Sequence, residues 1–207
     1  MEEFDRIFLD NTFLINSTLC CNFPKNIFQP NGFELKHKNY ENNQYFLKIA
    51  KKKNLVLFRF IQLNFDTKDK LIEVYYDSII NVEEGFENLL KFDSGFYATY
   101  LQNLRKIEQN FETLNKDIGE ITLNSLEQNK YEELESFFNQ FQKEFRNNKH
   151  PIPEKEDLRI FNYLINLDFK HFFITADTHF INYQEEIKGQ YKNCNIINEF
   201  ELNKFFQ

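Results

Sequence analysis

The sequence predicts an α/β fold: three layers, α/β/α, around a central, mostly parallel sheet. Three observations predict it. Short apolar runs (Ile7-Phe8-Leu9, Phe172-Phe173-Ile174, Asn195-Ile196-Ile197) alternate with longer segments of helical periodicity. Strands that alternate with helices build parallel sheets covered on both faces. The 207 residues, 42% of them hydrophobic, suit one domain over 1–207 with insertions, rather than two full domains, and can bury a sizeable core.

Ile7–Leu9 is the first strand, and it ends at Asp10. Thr12–Leu19 follows with helical spacing at Phe13, Ile15–Asn16 and Leu19. Residues 22–43 are rich in Asn, Pro and Gly and read as a loop, and Gln44–Lys53 as a helix. Residues 54–65 alternate in part (Val56, Phe58, Phe60), which favours a strand, but are apolar enough for a buried helix. After the turn-like Asp66-Thr67-Lys68-Asp69 come a strand, Leu71–Tyr76, and a helix, Ile79–Phe92. Tyr97, Leu101, Leu104, Phe111, Leu114 and Ile118 recur at helical steps, as do Leu134, Phe137, Phe138, Phe141 and Phe145. Gly119 between the two sets predicts an antiparallel helical hairpin, with a coiled-coil homodimer interface as its other use. Pro151 breaks the chain, and Pro153 suits the first turn of a helix over Glu154–Leu167. The strand 172–174 runs into Thr175-Ala176-Asp177, a helix starts near His179, and the strand 195–197 leads to a closing helix, Glu199–Phe206. The expected insertions are 22–70 and 97–147.

Composition excludes several classes. Twenty-five Lys and Arg against 32 Asp and Glu leave a net charge of −7, unlike a basic protein that coats nucleic acid. No run approaches the ~18 apolar residues of a membrane span. The acidic opening, MEEFDRIFLD, is unlike a secretory signal, so a cytoplasmic location is expected. Cys20, Cys21 and Cys194 are odd in number and show no Cys-x-x-Cys, which favours reduced thiols over a disulfide framework or a zinc site. With 26 Phe in the chain, an aromatic residue alone locates nothing.

Ligand sites of open parallel sheets lie beyond the carboxyl ends of the strands. Asp10 and Asp177 stand there by sequence alone. Asp157 shares a helix stripe with Phe161 and Leu164, at i, i+4 and i+7, which turns a carboxylate toward the core. A carboxylate so placed is costly unless paired or metal-bound. A fourth candidate lies in Ser78-Ile79-Ile80-Asn81-Val82-Glu83-Glu84, where a strand gives way to a helix; helix phase favours Glu83.

These residues resemble a family. IFLDNTFLI is similar to the opening strand and first acid of PIN-domain nucleases. Ser78-x-x-Asn81-x-x-Glu84 resembles the segment of their second acid, as in toxin-type members, and that spacing favours Glu84 over Glu83. Asp157-Leu158-Arg159-Ile160-Phe161 resembles the third-acid helix, and Phe173-Ile174-Thr175-Ala176-Asp177-Thr178-His179-Phe180 the strand-end signature of the last acid. The motifs appear in the family's order. In two respects the chain departs from it: Asn11 follows Asp10 where a hydroxyl residue is commoner, and the gaps between acids are long. The resemblance implies a PIN-like domain acting as a metal-dependent endoribonuclease on single-stranded or structured RNA, leaving a 5′-phosphate and a 3′-hydroxyl. It makes Asp10, Glu84, Asp157 and Asp177 the catalytic and metal-binding set for Mg²⁺ or Mn²⁺, with Thr175 in support. Its partners would be RNA and, as for toxins, an antitoxin or another protein.

The chemistry suits the residues. Phosphodiester hydrolysis needs an activated water and charge stabilisation at phosphorus, and hard divalent ions on oxygen ligands supply both. Converging carboxylates repel one another until a cation relieves them. RNA also needs a positive surface. Residues 33–60 hold seven Lys and Arg against two Glu, with Lys48, Lys51, Lys52 and Lys53 clustered and Tyr40, Tyr45 and Phe46 interleaved to stack bases. A haloacid-dehalogenase-type phosphatase would need a second Asp at position 12, which is Thr12. An RNase H-like nuclease would lead from its first acid into a hairpin, whereas helical residues follow Asp10. The alternative is a non-catalytic module that binds RNA or protein through the helical hairpin.

Overall fold

The computed structural model describes residues 6–18, 33–61, 91–142, 144–145, 148–149 and 152–205. Glu83, Glu84, Cys20, Cys21, the expected strand 71–76 and nearly all of the expected helix 79–92 lie outside them. Seven strands are described: β1 (Arg6–Leu9), β2 (Val56–Ile61), β3 (Gly119–Thr122), β4 (Glu144–Phe145), β5 (Asn148–Lys149), β6 (His171–Thr175) and β7 (Cys194–Asn198). Five form one sheet in the order β3-β2-β1-β6-β7, with every neighbouring pair parallel. β4 and β5 form a separate antiparallel pair. The chain starts mid-sheet, builds outward to β3, then returns to the other side of β1. β1 and β6 are thus neighbours at the point where the strand order reverses.

Successive strand residues point to opposite faces, and each face carries its own apolar cluster. Phe8, Phe60, Phe173 and Ile196 meet Leu134, Phe137 and Phe138 of helix Gln128–Gln140 and Leu158, Phe161 and Leu164 of helix Lys155–Ile165. Ile7, Leu9, Leu57, Ile174 and Ile197 meet Phe13 of α1 (Asn11–Thr18), Phe46 and Ala50 of α2 (Phe33–Lys52), and Leu114 of helix Ser94–Asp117. The first cluster is largely aromatic. Phe138 lies 4.9 Å from Phe161, and Tyr183 lies 5.1 Å from Phe138. Each fully buried side chain of this size contributes about 1.5–3 kcal/mol. The three-layer α/β/α architecture with a parallel sheet is what the sequence predicts. Among the described residues, no helix is long and apolar enough to cross a membrane.

Two local expectations differ, and one ambiguous stretch takes the strand that its alternation favours. Residues 33–43 belong to α2 and are not loop, because tertiary packing overrides their Asn-rich composition: Tyr40, Asn43, Phe46 and Ala50 are buried at helical spacing. The ambiguous stretch 54–65 supplies β2, placed between β1 and β3, so part of the expected insertion 22–70 is sheet. α2 ends in a Schellman turn. Asn54 takes a positive φ of 54°, its N–H donates to the Lys51 carbonyl, and the Leu55 N–H donates to the Ala50 carbonyl at 2.9 Å, which aims the chain into β2.

The described residues of 97–147 do not form a two-helix hairpin. Gly119–Thr122 is β3, paired with β2, and the helices before and after it feed the two opposite clusters. Phe145, expected on the second helix, lies in β4. Gly119 serves close approach and not a helix–helix turn, since a Cβ there would sit 2.9 Å from Phe58 Cδ1.

Candidate active site

Asp10 stands one residue beyond β1. Its N–H donates to the Ile174 carbonyl at 2.9 Å, extending the β1–β6 pairing past the strand. The turn into α1 begins at once, with the Asn11 N–H donating to Asp10 Oδ1 at 2.8 Å. The side chain is buried, only 7% exposed. From the end of β6, the Thr175 hydroxyl donates to Asp10 Oδ2 at 2.7 Å and accepts from the Asp177 N–H at 2.9 Å. One hydroxyl thus fixes two acids.

Asp177 caps the short helix Thr178–Ile181, its Oδ1 accepting from the His179 N–H at 2.8 Å. Asp157 lies in the first turn of helix Lys155–Ile165, where its Oδ2 accepts from the Glu154 N–H at 3.3 Å. That helix is anchored by Leu158, Phe161 and Leu164 in the aromatic cluster, so core packing delivers Asp157 to the strand ends. The His179 ring lies between the two acids. Its Nδ1 is 3.4 Å from Asp157 Oδ2 and 3.3 Å from Asp177 Oδ1. One donor atom from each of Asp157, Asp177 and His179 lies within 4.8 Å of the others.

The electrostatics register this convergence. Burial pushes the Asp10 carboxyl up to about 7; the Thr175 and Asn11 hydrogen bonds oppose the rise, and the negative charges of Asp177 and Asp157 add to it. Asp157 is also raised, by burial and then by the charge of Asp177, while the Glu154 N–H and His179 pull it down. Each acid serves a local turn or cap. None of those local roles requires Asp157 and Asp177 to meet at one imidazole.

Of the expected set, Asp10, Asp157, Asp177 and Thr175 come together, and Glu84 lies outside the described residues. Lys48, Lys51, Lys52 and Lys53 are not part of the gathering. α2 runs antiparallel to β2, so its last turn sits where β2 starts, beside Arg6 at the opposite end of the sheet from Asp10. Lys48 and Lys51 line a cavity of about 460 Å³ there, floored by Leu47, Leu57 and Ile118. Lys51 pairs with Asp117 at 3.0 Å. The sequence marks His179 only as the start of a helix. Its side chain is 21% exposed, and its place two residues after Asp177 was visible, but its approach to Asp157 was not.

Two carboxylates and an imidazole nitrogen, from Asp157, Asp177 and His179, form a donor set that could hold a divalent cation. Comparison with protein-family models, with curated proteins and with solved structures finds no match to this chain.

Proposed function

We propose that this chain is a metal-dependent nuclease of the PIN-like kind, an endoribonuclease that hydrolyses RNA in the cytoplasm. One observation carries the reading: acids from distant parts of the sequence, Asp10, Asp157 and Asp177, act on one another at the carboxyl ends of β1 and β6, where the strand order reverses. Open parallel sheets bind ligands at that point, and acids shifted by burial and by neighbouring charge cluster at functional sites.

Asp157 and Asp177 would hold Mg²⁺ or Mn²⁺, with the His179 imidazole favouring the latter. The cation, when bound, supplies charge stabilisation at a phosphodiester and lowers the proton affinity of a nearby water. The protein's own parts in this are positional. Thr175 holds Asp10 Oδ2 and the backbone of Asp177 in fixed relation. Burial of Asp10 keeps bulk water from damping its interaction with the other acids. Glu84 stands as the further acid that the sequence resemblance implies.

Calorimetric titration of Mn²⁺ into wild type and Asp10→Asn tests the reading. Binding to wild type that weakens at least tenfold in the variant is the expected outcome. Absence of binding to either protein removes the metal-dependent proposal.

A further inference from the structure

A second buried acid lies behind α1, apart from the carboxylates described above. Glu199 opens the 3-10 turn Glu199–Glu201 directly after β7 and is 2% exposed. Its Oε1 accepts two hydrogen bonds, from Asn16 Nδ2 of α1 at 2.9 Å and from Asn43 Nδ2 of α2 at 2.7 Å. The orientation of the Asn43 amide is fixed, because the same Nδ2 also reaches the Phe13 carbonyl at 3.4 Å. Among the described residues, two atoms of this joined pair have no partner, Glu199 Oε2 and Asn43 Oδ1, both buried.

As a carboxylate, Glu199 would leave two acceptors unmet in one buried pair, and a full charge with only amides for company. Each unmet buried acceptor is costly, and an unpaired buried charge more so. One proton answers both. With hydrogen on Oε2, Glu199 becomes donor as well as acceptor, and its hydroxyl can meet the amide oxygen of the residue already bonded to Oε1. The result is a closed two-bond ring between a carboxylic acid and a carboxamide. Oε1, with two donors, is then the carbonyl oxygen, as its bonding indicates.

We propose that Glu199 is held as the neutral acid, its Oε2–H donating to Asn43 Oδ1, and that this ring is a proton-dependent clasp joining α1 and α2 to the end of β7. Among the described residues, the polar groups bonded to it are Asn16 from α1 and Asn43 from α2, neither of which titrates. Burial raises the proton affinity of the carboxyl, and the two amides lower it in part. α1 starts at the residue after Asp10, so the clasp sets how firmly that helix is seated. The inference stands independently of the nuclease reading.

The sign follows from linkage. The folded state keeps a proton that the unfolded chain releases, so the stabilisation is complete below the ordinary glutamate range and is lost as pH rises through the raised folded value. Glu199→Gln preserves both bonds of the ring, its amide N–H replacing the hydroxyl, and cannot ionise. Melting curves from acid to mildly alkaline pH should show wild type losing stability with rising pH more steeply than Glu199→Gln, with the variant melting higher at the alkaline end. A variant with the wild-type slope that melts lower at every pH overturns the proposal. Wild type labelled with ¹³C at glutamate Cδ gives a second measurement that needs no variant. One resonance should titrate well above the rest, and a set of glutamates that all titrate together overturns the proposal as well.

Discussion

The two ends of the sheet contrast in how they treat charge. At the carboxyl end, Asp10 is buried, Asp157 and Asp177 are mostly covered, and each acid is held by a hydroxyl or a backbone N–H. At the amino end, Lys51 is 76% exposed and its ion pair with Asp117 lies in solvent. The clustered lysines are the more conspicuous feature in the sequence. The scattered acids are the ones whose energies the fold changes, because removal from water makes charges matter to one another, whereas an exposed pair contributes ~0–1 kcal/mol.

The contrast can be broken at its strong end first. Asp157→Asn should reduce cleavage of single-stranded RNA by at least ~100-fold, since ligand loss exceeds the 10–100-fold effect of outer-shell changes. Its melting temperature should be equal or higher, because the variant ends the repulsion from Asp177 and can still accept from the Glu154 N–H. Retained cleavage would remove Asp157 from the proposed set.

A second test sharpens the comparison through pH. The folded Asp10 carboxyl, held near 7, keeps a proton that the unfolded chain gives up near 4. Its contribution is fully present below about pH 4 and is lost as pH rises through about 7, a change on the order of 4 kcal/mol. Denaturant titrations without divalent ions should show that slope in wild type and a shallower one in Asp10→Asn, with a remainder from Asp157 and Glu199. An unchanged slope would mean that Asp10 is ionised in the fold.

The smallest effect belongs to the other end. Replacing Lys48 and Lys51 together by Ala should change RNA cleavage by less than ~3-fold at moderate salt, because these exposed charges sit a strand length away from the acids. A larger loss that steepens with salt would make the amino end a docking surface after all.

Much of the architecture was legible in the sequence because it rests on periodicity. The strands around Ile7–Leu9, 172–174 and 195–197 and the helix that starts near Pro153 appear where the apolar pattern places them. Asp10, Asp157 and Asp177 were legible because strand ends and helix phase are local properties. Long-range facts were not. Gly119 reads as a turn residue, yet its missing side chain admits the Phe58 ring of a strand far earlier in the chain. The Asn-rich start of α2 reads as loop, yet Asn43 is buried because Glu199, from beyond the last strand, meets its amide. His179 and Glu199 share that trait: what defines each is a partner that no local window contains.

The strand order has a temporal consequence. Asp10 leaves the ribosome well over a hundred residues before Thr175, Asp177 and His179. Until β6 has emerged and docked beside β1, the nascent polypeptide holds one acid without its companions. An arrangement that needs all of these residues exists only once β6 has been made and has paired with β1.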